Sequence, residues 1–340
     1  AQVVIWAILP AVLYYVACFA AVHFEAKRRG LVGLPRSELP RLGKVMRERG
    51  HMFIPVVSIL VIMYSGYSAP MAALVGTLAC FPVALLRKST RGYFNLQNIV
   101  EAFVDGAKNA LGVATACACA GIVIGVVTLS GLGIVFTQFV VGLAKDTLLV
   151  ALILTMCAGI VLGMGMPTTP AYIIMTALLI PAIIKLGVIA PAAHMFAFYF
   201  AVLSAITPPV ALAVYAAAGI AKADLWTSGW AAVKIGAAGF IVPFMLVYEP
   251  ALLMIGTWPA IVGAFATASA GILLFAAGLH GYFITATNLW QRALLIVGGL
   301  LLIDPGLITD IIGAAIAAVV IAAQLMTRRQ QLAQQKAPAQ

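Results

Sequence analysis

Two stretches of the chain combine residues able to hold ions with residues that break helices. The first is Gly163-Met-Gly-Met-Pro-Thr-Thr-Pro170 and the second is Thr207-Pro208-Pro209, and each interrupts an apolar run. Gly163 and Gly165 let the backbone leave helical geometry, while Pro167 and Pro170 withdraw amide donors, so a helix must end there. Thr169 followed by Pro170 predicts an N-cap with proline at the first helical position and a new helix running towards Lys185. The same chemistry places a second break between the apolar halves 195–206 and 210–220. A helix start presents unpaired amides and about half a positive charge, and the unwound residues before it expose carbonyl oxygens. Amides suit an anion and carbonyls a hard cation, and in hydrocarbon either set is costly unless protein, water or a ligand faces it. The alternative is a pair of kinks whose free groups are satisfied by neighbouring helices.

Such breaks carry this meaning only inside membrane-spanning helices, and the composition supplies them. Of 340 residues, 64% are hydrophobic and 9% charged, with a mean hydropathy of +1.11. A soluble core would alternate apolar and polar residues, whereas here apolar runs of about 18 residues or more follow one another. A transmembrane barrel would show segments of about 10 residues alternating polar and apolar, which the continuous Leu/Ile/Val/Ala runs reject. The expected fold is all-α and polytopic, with a re-entrant hairpin and discontinuous helices. Residues 1–94 are expected to form spans with a basic loop and a hairpin turning at Tyr64–Pro70. Residues 95–245 are expected to hold an amphipathic helix from Asn95 to Asn109 and the spans with the two breaks, and residues 246–326 to add C-terminal spans. The Gln-rich tail 327–340 is expected to be disordered.

The net charge is +10, but the positions of the basic residues matter more than their number. Lys27, Arg28, Arg29, Arg36, Arg41, Lys44, Arg47 and Arg49 lie in one loop, Arg87, Lys88 and Arg91 follow the hairpin, and Arg328, Arg329 and Lys336 lie in the tail. Basic loops flanking spans obey the positive-inside rule, which puts these segments in the cytoplasm, puts the turn at Ser65–Ser68 outside, and excludes a nucleic-acid partner. The five cysteines sit in apolar runs, and no Cys or His pair has zinc-ligand context. Cys117 and Cys119 fall on different faces of a helix. No protease, esterase or phosphate-loop signature occurs, so an enzyme is not expected. His194, Glu249 and Asp304 near segment ends fit interfacial positions better than proton relays. Met164, Met166, Met175 and Met195 fit packing, and Trp226, Trp230, Trp258 and Trp290 fit interface anchoring.

Glu101-Ala-Phe-Val-Asp-Gly-Ala-Lys108, the G-x-G-x-P-T-T-P stretch at 163–170, and Ile206-Thr-Pro-Pro-Val210 followed by Gly219 resemble the large membrane subunit of tripartite ATP-independent periplasmic (TRAP) transporters over roughly residues 50–245. Tyr248-Glu-Pro-Ala-Leu-Leu253 and Asp304-Pro-Gly306 resemble the fused permeases that work with TAXI-type binding proteins. The resemblance implies a secondary transporter of the bacterial inner membrane, working by an elevator mechanism, that takes a small organic anion from a periplasmic TAXI-type binding protein. It implies a substrate and ion site at Gly163, Gly165, Met166, Pro167, Thr168 and Thr169 with Ser204, Thr207, Pro208 and Pro209. Carbonyls and Thr hydroxyls suit Na⁺ as coupling ion, with Gly163, Gly165, Thr169 and Thr207 as its candidate ligands; protons are the alternative, and no other cofactor is expected. A non-transporting scaffold subunit and an intramembrane enzyme are the rivals from other classes. The family builds its site from two inverted repeats, and this chain carries one hairpin and one break. Beginning at Ala1, it is expected to be the C-terminal half of a longer permease, partnered by the missing half or a small membrane subunit and by lipid.

Overall fold

The computed structural model describes residues 2–336 apart from Arg36, Arg87, Tyr93, Asp146 and Pro305, and the side chains of Lys88, Ser89 and residues 332–336 are likewise left aside. The expectations for Ala1, Arg36, Arg87, Asp146, Pro305 and the tail end 337–340 therefore lie outside the described residues, as do those for the side chains of Lys88 and Lys336.

Among the described residues the chain is built of helices, joined by turns and a single isolated bridge, Tyr282 to Ala286. It is an all-α, multi-pass membrane protein. Two compact units emerge. One comprises residues 32–114 with the first residues of the chain, and the other comprises residues 5–31 with 115–340.

In the first unit, α2 (Leu42–Arg49) and a 3-10 turn lead into the hairpin of α3 (Ile54–Tyr64) and α4 (Ala69–Leu85). The turn falls where Ser-Gly-Tyr-Ser predicts it: Gly66 has φ +89°, and Ser68 caps α4 by accepting from the Met71 amide. A short α5 (Lys88–Arg91) precedes α6 (Leu96–Ser130), and Phe103 of α6 stacks on Phe81 of α4 at 6.3 Å. The amphipathic segment from Asn95 and the apolar segment after it are thus one helix. At 35 residues and about 1.5 Å per residue, α6 is longer than the roughly 30 Å hydrocarbon core, which leaves its polar first third free of the bilayer interior.

The second unit begins with α1 (Gln2–Arg28), most of which belongs to it, and continues from the C-terminal part of α6 through α7 (Leu132–Ala144), α8 (Leu148–Gly163), α9 (Thr168–Leu178), α10 (Ile180–Lys185), α11 (Ala190–Leu203), α12 (Leu212–Ala221), α13 (Leu225–Ile235) and α14 (Ala237–Tyr248). The helix expected to run from Thr169 to Lys185 is broken at Leu179, one residue ahead of Ile180 and two ahead of Pro181. Proline lacks the amide that would continue the ladder, so α9 stops and α10 starts afresh. Three long helices close the chain: α15 (Trp258–His280), α16 (Leu289–Ile303) and α17 (Leu307–Lys336). The tail from Arg328 continues α17 rather than being disordered as expected; Gln, Ala, Arg and Lys all have high helix propensity, and no Gly or Pro stops the helix before 336.

Among the described residues, α1, α6, α15 and Leu307–Gln331 of α17 are long and apolar enough to cross a membrane, and α13 with α14, bent by 40°, pass the same test only when the pair is counted as one span. Large apolar side chains such as Phe19 (76% exposed), Leu129 (91%) and Ile220 (88%) face outward, as a lipid solvent allows. The main core packs α1, α8, α9, α11, α14 and α15 through Leu13, Leu152, Met175, Phe196, Phe200, Met245 and Ile272. A second core joins α1, α15, α16 and α17 around Phe24, Ala277, Leu295 and Val320. There the helices meet at glycine: a Cβ on Gly271 would lie 2.7 Å from the Gly299 carbonyl, and one on Gly313 would lie 2.9 Å from that of Gly298. Small residues at such crossings let backbones approach where no hydrophobic force drives them together.

Candidate functional site

α8 ends at Gly163, and four residues pass before α9 begins at Thr168. Gly165 turns the chain with φ +73°, a left-handed conformation that costs an L-residue roughly 1–2 kcal/mol. Thr169 is not the N-cap: Pro167 occupies that position (φ −58°, ψ 152°), without a side-chain cap, and Thr169 lies exposed in the first turn. The shift by two residues has a physical reason. Pro167 has its φ fixed and needs no partner for an absent amide, and Pro170, also without an amide, is tolerated in the first turn. Four donors at a helix start normally lack intrahelical partners. Here the two prolines remove two of them, leaving the Thr168 and Thr169 amides at the tip.

The second break is wider than the sequence suggests. α11 runs to Leu203 and tightens into a 3-10 turn, Ser204–Ile206; α12 starts at Leu212 rather than at Val210. The Pro208–Pro209 bond is cis. Thr207 does not cap α12, because its hydroxyl donates back to the Leu203 carbonyl at 2.8 Å. The Tyr215 hydroxyl donates to the Pro209 carbonyl and ties the unwound strand to α12. Gly229 on α13 permits this strand to pass: a Cβ there would lie 2.9 Å from Pro208 Cγ.

The two breaks meet. The fully buried Ser204 hydroxyl lies 3.0 Å from the Gly163 carbonyl and 2.8 Å from that of Ala201. A Cβ on Gly163 would sit 2.5 Å from Ser204 Oγ, and one on Gly165 would sit 3.3 Å from Val210 Cγ1. At Gly165 the neighbour from the second break is thus Val210, three residues after Thr207. Edge-to-face rings at Phe196–Phe244 (5.3 Å) and Phe200–Phe244 (6.2 Å) brace α11 against α14 just ahead of the turn in which Ser204 meets α8. Gly163, Ser204, Gly165 and Val210 are thus gathered at one place. Met166, Pro167, Thr168 and Thr169 form the rim of the tip, with Pro167 and Thr169 exposed; Pro208 lies under α13, and Pro209 is exposed.

Sequence reasoning missed a charged cluster. Glu25 lies in the last turn of α1 and accepts from Arg28 (2.6 Å), Arg29 (2.7 Å), Lys234 of α13 (3.3 Å) and His280 Nδ1 (3.0 Å). The i+3 and i+4 spacing of the two arginines was visible in the sequence; the partners 209 and 255 residues away were not. His194, placed at a membrane surface, is exposed and pairs through Nδ1 with the Tyr172 hydroxyl at 2.7 Å. Met175 and Met195 are buried in the core, and Glu249 caps the turn after α14 through the Ala251 amide. No group of three or more His, Cys, Asp or Glu able to hold a metal occurs among the described residues.

Residues 1–261 match the family described as Tripartite ATP-independent periplasmic transporter, DctM component, and residues 261–337 match a domain of unknown function, DUF3394. A curated relative, the isethionate TRAP transporter permease protein DctMQ of Oleidesulfovibrio alaskensis, is 22% identical over 249 residues, which is 73% of this chain and 39% of that protein. The chain therefore aligns with about two fifths of the length of that relative. No solved structure matches. The family is one of transporters, not of enzymes, and the family match covers more than half of the chain, both helix breaks included: this chain belongs to the DctM permease family of TRAP transporters.

Proposed function

We propose that the chain is a permease subunit of a secondary transporter that imports a small organic anion, of carboxylate type, in symport with Na⁺ across a bacterial inner membrane, receiving it from a periplasmic binding protein of TAXI type. The observation that carries this reading is the meeting of two helix breaks at Gly163 and Ser204, where the Gly163 carbonyl accepts from the Ser204 hydroxyl and the Thr168 and Thr169 amides at the start of α9 have no partner among the described residues. Amides and the positive end of α9 supply an anion site, and carbonyl and hydroxyl oxygens supply a hard-cation site without any carboxylate. Gly163, Gly165, Met166, Pro167, Thr168 and Thr169 form one wall and Ser204, Thr207, Pro208 and Pro209 the other. Gly163, Gly165, Thr169 and Thr207 are the Na⁺ ligands in this reading. The relative's name gives isethionate, an organic sulfonate, which supports the anion class but not a particular substrate.

In this reading α8 and α9 form a re-entrant hairpin inside an elevator-type moving domain, and α6 is the arm that links it to the scaffold. A site closed alternately from two sides needs a second pair of breaks, supplied by another half of the permease or a further subunit. The basic ends of α1 and α17 line one cavity, so they lie at one end of the second unit, in keeping with a shared cytoplasmic side. The test uses Na⁺ itself. Thermal unfolding of the purified chain in NaCl is compared with choline chloride at equal ionic strength, followed by Na⁺-driven uptake of carboxylates and sulfonates into proteoliposomes holding the intact permease and its binding protein. Stabilisation specific to Na⁺ and gradient-dependent uptake support the reading. Uptake that follows a proton gradient and ignores Na⁺ overturns the coupling.

A further inference from the structure

Beside the ends of α1 and α15, where α17 passes with Arg328 and Gln331, a cavity of about 550 Å³ is lined by Lys27, His23 and Arg328, with Gln331 and the loop after α15, including Tyr282 and Thr285. Among the described residues Lys27 and Arg328 have no carboxylate partner; Glu25, the acid beside Lys27 on α1, is already engaged by Arg28, Arg29, Lys234 and His280. The cavity therefore carries uncompensated positive charge. Its loop wall is fixed in advance. The fully buried Gln324 of α17 accepts from the Ile284 amide (3.1 Å), the Thr285 amide (2.8 Å) and the Thr285 hydroxyl (3.2 Å), and donates to Gln291 of α16 at 2.9 Å.

A second cavity adjoins the charged one at His23. His23 also lines an apolar cavity of about 390 Å³ with Tyr15, Phe19, Ala20 and Leu273. Tyr15, Phe19 and His23 are spaced four residues apart, so they form one stripe running about 12 Å along α1. Tyr15 and Phe19 are 74% and 76% exposed, on a helix that crosses the membrane. A pair of cations at the water boundary joined to an apolar trough leading into the bilayer matches one molecule, a lipid with an anionic head and a hydrocarbon tail.

We propose that this joined cavity binds an anionic phospholipid of the adjacent leaflet, its phosphate between Lys27 and Arg328 and an acyl chain along Tyr15 and Phe19. The site spans the two family matches, since α1 lies in the permease match and Tyr282, Thr285 and Arg328 lie in the DUF3394 match. The bound lipid then fastens the DUF3394 helices to the first helix of the permease. A zwitterionic lipid presents the same phosphate but brings its own ammonium against two cations, and it binds less well.

The test titrates the full chain in neutral detergent with fluorescent phosphatidylglycerol, using phosphatidylcholine and free glycerol phosphate as comparison ligands. Phosphatidylglycerol is expected to bind in preference to phosphatidylcholine. Lys27→Gln and Arg328→Gln are each expected to weaken it about fivefold and together about 30-fold, at roughly 1 kcal/mol per basic residue. Arg329→Gln, one residue outside the cavity, should leave binding unchanged, and Phe19→Gln should weaken it with both cations intact. All of these positions are exposed, so unchanged thermal unfolding of the variants confirms that they fold. Equal affinity for phosphatidylcholine, a double variant within twofold of the parent, or full displacement by millimolar glycerol phosphate each overturns the proposal.

Discussion

Gly163→Ala tests whether the two helix breaks are held by direct backbone contact. The added Cβ would stand 2.5 Å from Ser204 Oγ and 2.7 Å from Ser204 Cβ, with Met175 Cε at 3.2 Å. Met175 can swing its terminal methyl away, but Ser204 Cβ is fixed to the backbone of the turn that ends α11. The C-terminal end of α8 must move outward by about an ångström, which also breaks the Ser204 to Gly163 hydrogen bond. Overpacking in a dense core costs about 1–3 kcal/mol and a buried hydrogen bond about 1 kcal/mol, so the expected loss is roughly 2–4 kcal/mol. Ser204→Gly removes both clashing atoms. By itself it should cost about 1–2 kcal/mol through the lost hydrogen bond and the looser turn. In the double variant the clash is gone, so the two costs should fall short of additivity by at least about 1 kcal/mol. Reversible unfolding in mixed micelles measures all four corners of this cycle. A Gly163→Ala variant within about 0.5 kcal/mol of the parent, or a double variant equal to the sum of the singles, would falsify the contact.

Gly165→Leu and Thr169→Val in the intact permease are expected to abolish uptake with expression little changed, the first because a left-handed backbone and Val210 both reject a side chain, the second because it removes a hydroxyl at the tip; near-normal uptake by both at low Na⁺ favours simple kinks. Gln324→Leu strips the buried Thr285 amide and Gln291 of a partner and should lower stability by about 2–4 kcal/mol in chemical unfolding, so a change below about 0.5 kcal/mol contradicts the network. Asp224 caps α13 by accepting from the Thr227 amide, a bond that holds its carboxyl below the ordinary aspartate value of 3.8. Its stabilisation is therefore complete above that value and lost as the pH falls through the lower folded value, so Asp224→Ala should lower the unfolding temperature near neutrality by an amount that shrinks below pH 3.8, and a difference that grows in acid excludes the cap.

Hydropathy made the helices legible, because each span must satisfy its own backbone in lipid and so announces itself as a long apolar run. Proline and glycine made the breaks legible for the same local reason, and the stop after Gly163 appears where they predict it. Restart points were less legible. A Thr-Pro pair fits both an N-cap followed by proline and a first turn already under way, and the choice at Thr169 depends on Pro167 two residues earlier. At Thr207 the hydroxyl had a nearer acceptor, the carbonyl of Leu203 behind it, and took that instead of a cap ahead. Ser204, the residue that joins the two breaks, carries no pattern of its own, since its partner Gly163 lies 41 residues away. The Glu25 cluster was hidden for the same reason: its arginines are local, but Lys234 and His280 reach it only through the packing of α13 and α15 on α1.

The hydrogen bonds at the breaks also set an order for what can bind. The Gly163 carbonyl accepts from the Met166 amide at 3.3 Å and from Ser204 at 3.0 Å, so both of its lone pairs are in use. The Thr168 and Thr169 amides have no such partners among the described residues, so the tip is open to an anion while this carbonyl is closed to a cation. Ser204 holds the means to open it. Its single proton can turn from Gly163 to the Ala201 carbonyl at 2.8 Å, which frees a lone pair on Gly163. If that carbonyl is a Na⁺ ligand, the ion must displace the hydroxyl, and the hydrogen bond it breaks is a cost of binding. Ser204→Ala removes that cost. The variant should be less stable by about 1 kcal/mol without Na⁺ and should bind Na⁺ up to about fivefold more tightly, because the contact it deletes exists only in the empty state. Na⁺ titration of the thermal unfolding temperature reads both effects at once. An affinity that falls would place the ion on the hydroxyl, and one that stays the same would place it away from Gly163.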